Sequence, residues 1–507
     1  MNDKLKKPTV SFSDLGQRVK PKIHINIGSL FDIPTALILT GKRGETIING
    51  GLGQVTGIIG AGNNYKSTIT HYMMLAAADR MNEAGYKKLN TRPDTNIVNM
   101  TTYDTEINIS LDRLESLASA FPSLPVNPIT CEDAVWYITD KSQVDASQWA
   151  LSLNNYSKSK SKDKNSLVTY EAFIDPYTKE NLVGIVPSFA EIDSLTEFES
   201  SSSMDQLSQD LDSSDTNTYA MKQGAFKTKF LSQIPRISTT SNIYLLLTAH
   251  IGEKIDMATG PAKYNKPTKK LQYLKSADTI KGVSTKFTYL LHNCWAAHTA
   301  SVMINKSDKA PEYPSSNNST STDLNKVMLT QLRGKSGPSG FTIELIVSQE
   351  EGVLPALTEF HHIKSHNRYG IEGNMIHYHL SLMPEVSLNR KTVRSKIDNS
   401  RLLRRAINIT SELLQLETYM AGRLKRENLL CTPKELYEDI KALGYSWDMI
   451  LRTREYWTVN QYSNPRPYLG VIDLLKMRGK KYFPYFLNKD KTLKSMYSDI
   501  MSEDDNE

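Results

Sequence analysis

Lys66 and Ser67 close a Gly-rich turn, Gly60-Ala61-Gly62-Asn63-Asn64-Tyr65, and these residue types in this order suit a phosphate. Backbone N–H groups of such a turn and the positive end of a following helix face the anion. A lysine then reaches its terminal oxygens, and a serine hydroxyl is placed to hold Mg²⁺. Gly60, Gly62, Asn63, Asn64, Tyr65, Lys66, Ser67 and Thr68 are the candidate nucleotide-binding residues, with Ser67 as metal ligand. Glycine is usual just before the lysine and Tyr65 stands there instead, so an ordinary Gly-rich turn is the alternative. Two carboxylates extend the set. Glu106 lies just past 95–103, which reads as a second strand, and is a candidate base for polarising a water, or else an acid at a helix start. Asp193 ends the run 188–195 and could hold the Mg²⁺ water shell opposite Ser67. Glu191, inside that run, is unusual for a buried strand. His250 sits at the tip of 241–249 and could feel a γ-phosphate, or be a surface histidine.

These side chains need strands that end together and a helix that starts at Lys66. The β-branched run 55–59 suits a buried parallel strand, and 68–81 is apolar at helical spacing. Acids just past strand ends fall in the crevice where α/β sheets bind ligands. Residues 1–30 read as an arm with one strand in KIHINIG, a possible oligomerisation element, and 107–150 as helical. An insertion is expected at about 140–185, with a basic loop tip at 156–164 and a hairpin around Asp175-Pro176. A helix over 218–234 carries Lys222, Lys227 and Lys229, and further strands are expected at 287–294, 300–304, 326–332 and 340–347. From about 390 the chain turns helical and basic and closes in an acidic tail.

With 507 residues, one large core plus appended parts is expected. Hydrophobic content of 39% and charged content of 23% are ordinary for a soluble protein, and a net charge of +6 allows a polyanionic partner without demanding one. Cys131, Cys294 and Cys431 lie far apart, which suits reduced thiols. No run of ~18 apolar residues could span a membrane, and no apolar segment follows the first lysines, so a cytoplasmic protein is expected. Residues 253–286 hold eight lysines against three acids, with tyrosines between. Such a loop suits single-stranded DNA, through counterion release and base stacking, or is merely solvated. Lys263, Tyr264, Lys266, Lys269, Lys270 and Tyr273, with Lys222 and Lys227, are the candidate DNA contacts; Arg401, Arg404 and Arg405 are the fallback.

Taken in order, an aromatic residue before Lys66-Ser67, a strand closing in Tyr103-Asp104-Thr105-Glu106, and Ile192-Asp193-Ser194-Leu195 form a familiar series. With Ala249-His250 and the pair in Arg333-Gly334-Lys335, it resembles the phage UvsX branch of the RecA recombinases over roughly residues 31–365. In that branch the residue before the lysine is itself aromatic. The resemblance implies an α/β fold, a RecA-like P-loop ATPase core with a central, mostly parallel sheet flanked by helices. To it would be joined a helical, basic C-terminal region at 390–507. It implies ATP and Mg²⁺ at Lys66 and Ser67, water activation by Glu106, metal support from Asp193 and coupling of nucleotide to DNA through His250. Arg333 and Lys335 would act as catalytic cations on the neighbouring subunit's γ-phosphate. The segments after Asp193 and His250 would line the axis of a filament on single-stranded DNA.

The expected function is an ATP-dependent recombinase that promotes strand exchange as a homo-oligomer. A DnaB-type helicase is the runner-up, disfavoured by the ~50 residues before the turn, where such helicases carry a large domain. A non-hydrolysing DNA-binding protein of the same fold is the third reading. The lysine-rich loop is longer than the family's Gly-rich one, so DNA contacts do not transfer singly, and nothing aligns beyond about 390.

Overall fold

A computed structural model describes residues 22–82, 98–200, 215–253, 273–274, 278–283, 286–305, 308–315 and 321–501, with 215–221, 253, 278, 286 and 501 as backbone alone. A short helix, α1 (Ser29–Thr35), and a hairpin, β1 (Leu37–Thr40) and β2 (Thr46–Asn49), lead into β3 (Val55–Gly60) and α2 (Lys66–Asn82). Next come β4 (Met100–Asp104), α3 (Leu111–Ala118), β5 (Trp136–Asp140), α4 (Ala146–Lys160) and a second hairpin, β6 (Leu167–Ile174) and β7 (Asn181–Ile185). They are followed by β8 (Ser188–Asp193), α5 (Asp215–Ser241), β9 (Ile243–Glu253), β10 (Asp278–Ile280), α6 (Lys286–Leu290) and β11 (Asn293–Ala297). Then β12 (Ser301–Val302), β13 (Leu324–Gly334), β14 (Thr342–Ser348), β15 (Gly352–Val353) and α7 (Pro355–Ser365) complete the sheet and its cover. Beyond lie a small sheet, β16 (Ile371–Gly373), β17 (Tyr378–Leu380) and β18 (Met383–Leu388), and the helices α8 (Val393–Asp398), α9 (Arg401–Glu427), α10 (Pro433–Ala442), α11 (Trp447–Leu451) and α12 (Val471–Arg478).

The large sheet runs β15-β14-β13-β11-β3-β9-β8-β4-β5. From β11 to β5 every pairing is parallel, and β13, β14 and β15 extend it antiparallel. Side chains of one strand alternate between two cores. Tyr244 and Leu246 of β9 join Met73, Met74 and Ala77 of α2, whereas Leu245 and Leu247 join Phe230 and Ile234 of α5. A strand buried on both faces needs near-continuous apolar sequence, which is what 243–249 supplies. The mixed α/β class and the mostly parallel, helix-flanked sheet agree with the expectation. No helix among the described residues is long and apolar enough to cross a membrane.

Several local expectations fail. The span 107–150 is not continuous helix, since Trp136–Asp140 forms the edge strand β5, held by β4. Residues 287–290 are helical and the strand begins at Asn293. The basic run at 156–164 is no free loop tip: Tyr156–Lys160 ends α4, and Lys160 is buried with its ammonium donating to Ser188 Oγ at 2.6 Å. KIHINIG makes a single bridge, Ile25 to Leu52, while Ile23, Ile25 and Ile27 sink into the chain's own core. Residues 1–21 of that arm lie outside the described residues. Within the span read as an insertion, Trp149 and Leu153 pack in the α5 core, and the β6–β7 hairpin, present around 175–180 as expected, packs against Trp457.

The region beyond 390 shares its core with the start of the chain. Helix α9 is capped by Ser400 and buries one long face in a cluster that also takes Ile33 and Ile48. The Thr46 N–H donates to both Asp473 carboxylate oxygens at 2.9 Å, and Tyr468 Oη donates to the Thr46 carbonyl at 2.6 Å.

Candidate functional site

Parallel strands bring their C-terminal ends to one edge of the sheet. There Gly60 of β3 pairs with His250 of β9, and Asp104 of β4 with Asp193 of β8. Between these ends and the N-terminus of α2 lies a cleft of about 430 Å³, lined by residues 62–68 together with Glu106, Asn108, Asp193 and His250. Side chains singled out from four separate stretches of sequence thus face one space.

The Gly-rich turn holds its shape without glycine at 65. Asn63 and Tyr65 both take left-handed backbone, φ 58° and 56°, at a cost of about 1–2 kcal/mol for a residue with a side chain. Anchors across the sheet offset this: Asn325 Nδ2 donates to Tyr65 Oη at 2.8 Å, and Asn64 Nδ2 to the Ala297 carbonyl at 3.2 Å. Gly60 is required for a different reason. A Cβ there would stand 2.8 Å from the Ala297 carbonyl oxygen of the adjoining β11.

Lys66 opens α2 and its Nζ donates to the Ala61 carbonyl at 2.7 Å, so the ammonium lies across the mouth of the turn. Burial lowers its pKa, against the pull of Asp193 and Glu106. Asp193 is buried; its carboxylate accepts from Thr248 Oγ1 at 2.5 Å and from the Ser67 hydroxyl. Burial and the nearby charge of Glu191 hold its pKa above the usual carboxylate range. Glu191 is no flaw in the strand. Its carboxylate lies 3.2 Å from His71 Nε2 of α2 and accepts from Thr102 Oγ1 at 2.9 Å. Burial alone would raise Glu191, but the imidazolium of His71 brings it below its ordinary value, and His71 is raised in turn despite its own burial.

Glu106 is held from three sides. His250 Nε2 stands 2.7 Å from Oε1, Ser194 Oγ donates to Oε1 at 3.3 Å, and Asn108 Nδ2 donates to Oε2 at 3.2 Å. Partial burial would raise its pKa, and the contacts with His250, Ser194 and Lys66 outweigh that and lower it. An ionised Glu106 requires His250 to present its Nε2 proton. His250 is not at a strand tip as expected, because β9 continues through Glu253 by pairing with β10. Its backbone N–H donates to Thr196 Oγ1 at 2.9 Å.

Asp104 shapes the loop that presents Glu106. One carboxylate oxygen accepts from the N–H groups of Glu106 and Ile107 at 2.8 and 2.9 Å, the other from Asn108 and Ile109 at 2.9 and 3.0 Å. Asp104, Asn108, Ser194, Thr248 and His71 are not among the residues to which the sequence points. Asp104 and Ser194 stand inside quoted motifs, as neighbours of the residues chosen; His71 and Thr248 carry no local signal.

Other expected residues lie elsewhere. Arg333 and Lys335 are beside Asn293, which pairs with Thr56 at the far end of β3, roughly 13 Å of strand from Gly60 at ~3.3 Å per residue. The Arg333 guanidinium lies over the Tyr289 ring at 5.6 Å and Lys335 Nζ donates to the Leu290 carbonyl at 3.3 Å, so neither enters this chain's cleft. Lys263, Tyr264, Lys266, Lys269 and Lys270 lie outside the described residues. Tyr273 is exposed, with its ring edge against Gly340, and Lys222 is exposed on α5. Lys227 is corrected: it is buried, its ammonium donating to the Thr196 carbonyl, so it ties α5 to the segment after Asp193 and is unavailable to DNA. Arg405 is likewise buried, and Arg401 and Arg404 line a recess with it.

The donor set could hold a triphosphate: a helix N-terminus, a lysine ammonium and a serine hydroxyl beside a carboxylate. Among the described residues no group of three or more His, Cys, Asp or Glu side chains is placed to hold a metal ion. A Mg²⁺ ion at Ser67 and Asp193 could still complete its shell from phosphate oxygens and water. No protein-family model matches the chain, and no curated protein matches it either.

Proposed function

We propose that this protein is a RecA-type ATPase that assembles on single-stranded DNA and promotes strand exchange. The observation that carries this reading is the convergence on one cleft of Lys66 and Ser67 at a helix N-terminus, Asp193 beside Ser67, and Glu106 in contact with His250. Lys66 and the first backbone N–H groups of α2 bind the phosphates, and Ser67 with Asp193 holds Mg²⁺, which when bound neutralises phosphate charge. Glu106, ionised and aimed by Asp104, His250 and Ser194, accepts the proton of an attacking water at its carboxylate. His250 lies on the strand that leads into the lysine-rich segment, so a change at Glu106 is passed towards the DNA. Arg333 and Lys335, at the opposite end of the strands from their own cleft, serve a neighbouring copy.

Glu106→Gln keeps the shape of the site but not the base. ATP binding is expected to persist while DNA-stimulated hydrolysis falls ~10²–10⁴-fold, the range for a lost acid–base group. Equal hydrolysis in both proteins removes Glu106 from the chemistry. Wild-type protein that pairs homologous strands supports the recombinase, and one that unwinds duplexes without pairing refutes it in favour of a helicase.

A further inference from the structure

A second cavity, of about 690 Å³, lies at the other end of α2, where α1, α7, α9 and the segment after α11 meet. Five arginines line it: Arg80 from the last turn of α2, Arg401, Arg404 and Arg405 from the first turns of α9, and Arg466. Four acids face them: Asp32, Glu359, Glu412 and Glu455.

Two of the acids are served largely by neutral donors. Asp32 accepts from the N–H groups of Ile27 and Gly28 at 2.8 and 3.0 Å, and Arg80 stands 3.5 Å away. Glu359 Oε1 accepts from Ser29 Oγ at 2.6 Å and Asn408 Nδ2 at 2.9 Å. Burial lifts Asp32 and Glu359 to about 7 and Glu412 to about 8, so these three carry only part of their charge near neutrality, whereas at Glu455 the charges of Arg405, Arg80 and Arg466 outweigh burial and hold the pKa below its ordinary value. The guanidinium groups stay charged at any such pH.

Arg405 is only 4% exposed. Its Nη1 donates to Asn408 Oδ1 and its Nη2 to the Leu469 carbonyl at 2.6 Å, while its Nε carries no hydrogen bond among the described residues. Glu412, 4% exposed and about two turns further along α9, has an equally unpartnered Oε2 among the described residues. Arg405 faces the charges of Glu412 and Glu455, but a buried N–H and a buried carboxyl oxygen without hydrogen bonds are costly unless something pairs with them. Guanidinium forks match phosphate oxygens, and a protonated Glu412 adds a donor. The volume falls in the ~300–1,000 Å³ range of small-molecule sites.

We propose that this arginine-lined cavity is a second ligand site, which binds a phosphate-bearing small molecule where the C-terminal region packs on the core. Backbone carbonyls hold Arg401 and Arg404 in place, that of Arg452 at 3.4 Å and those of Ile397 and Asp398 at 3.1 and 2.8 Å. With five guanidinium groups facing the space, a di- or triphosphate matches the cluster better than a single carboxylate. The recessed Arg405 favours a small ligand over a nucleic-acid backbone. Because α2 begins at the Gly-rich turn and ends at Arg80, about 21 Å of helix joins the two sites.

The test is equilibrium dialysis of labelled pyrophosphate against the full-length Lys66→Ala protein, which removes the cation of the first cleft. Saturable binding of one pyrophosphate per chain is expected. The pair Arg401→Gln and Arg404→Gln, on half-buried positions, should weaken it at least ~10-fold, since it removes two charge-assisted forks on the phosphate. Arg401→Lys keeps the charge without the fork and should weaken it less, which holds the proposal to account should the double variant not fold. Competition by orthophosphate or by ADP separates a bare phosphate from a nucleotide, and either supports the site. No saturable binding in the Lys66→Ala protein, or unchanged affinity in the arginine variants, overturns it. So does stoichiometric displacement by a single-stranded oligonucleotide, which would make the cavity part of a polymer surface. This result is independent of the nucleotide reading, which fails instead through wild-type protein that binds no ATP at Lys66.

Discussion

Asp104→Asn tests how the candidate base is held. Asp104 spends both oxygens on four backbone N–H groups, two each, over residues 106–109. Within that loop Ile107 adopts φ 56°, a left-handed conformation costing a β-branched residue about 1–2 kcal/mol. The carboxylate therefore stabilises a loop that would otherwise relax. An asparagine of the same shape keeps one acceptor oxygen and turns an amide N–H₂ towards the other two N–H groups. Two hydrogen bonds are lost at ~1–1.5 kcal/mol each, the lower end applying because the loop is largely solvent-exposed and water takes up the freed donors. Local opening should thus become easier by about 2–3 kcal/mol, which is ~30–160-fold faster amide exchange. Hydrogen–deuterium exchange of peptides covering 105–110 reads this directly, without assuming any activity. In the same protein hydrolysis should fall with nucleotide affinity nearly intact, because Lys66 and Ser67 are untouched. Unchanged exchange at 106–109 would refute the cap, and unchanged hydrolysis alongside faster exchange would refute its link to Glu106.

Tyr65→Phe removes the hydroxyl that accepts from buried Asn325 and leaves that amide short of a partner, so a loss of ~1–3 kcal/mol is expected in chemical denaturation; an unchanged midpoint would mean the ring alone fixes the turn. Glu412, whose pKa burial raises from 4.5 to about 8, favours the folded state in its neutral form. That stability is complete below pH 4.5 and is lost as pH rises through about 8, with an upper bound of about 5 kcal/mol at 1.36 kcal/mol per unit. Glu412→Gln should flatten the fall of Tm across that window, with Arg405, Glu359, Glu455 and Asp32 left in place around it; an unaltered slope assigns the pH dependence to another group. Mixing Arg333→Ala with Lys66→Ala subunits should restore part of the hydrolysis that each lacks, since a cation supplied in trans is worth ~10³-fold or more. Absence of rescue in proven mixed assemblies would count against the neighbour role.

Residues 60–68 were readable because the turn, the lysine and the start of the helix are consecutive, and their geometry is set by adjacent backbone. The acids at 106 and 193 were readable by one further step: parallel strands all end on the same side, so residues just past them gather at one edge whatever the strand order. Strand order itself was not local. The 2.7 Å contact of His250 with Glu106 joins residues 144 apart and exists because β8 alone separates β4 from β9. Strand β5 escaped notice because a short edge strand, with Tyr137 exposed, has a weak apolar pattern until β4 supplies its hydrogen bonds. Charge misled for the same reason. Lys227, Lys160 and Arg405 read as surface cations, yet packing of α5, α4 and α9 turns them inward, where a carbonyl or hydroxyl receives each. Composition records that a cation is present. Which way it faces depends on what the folded chain lays beside it.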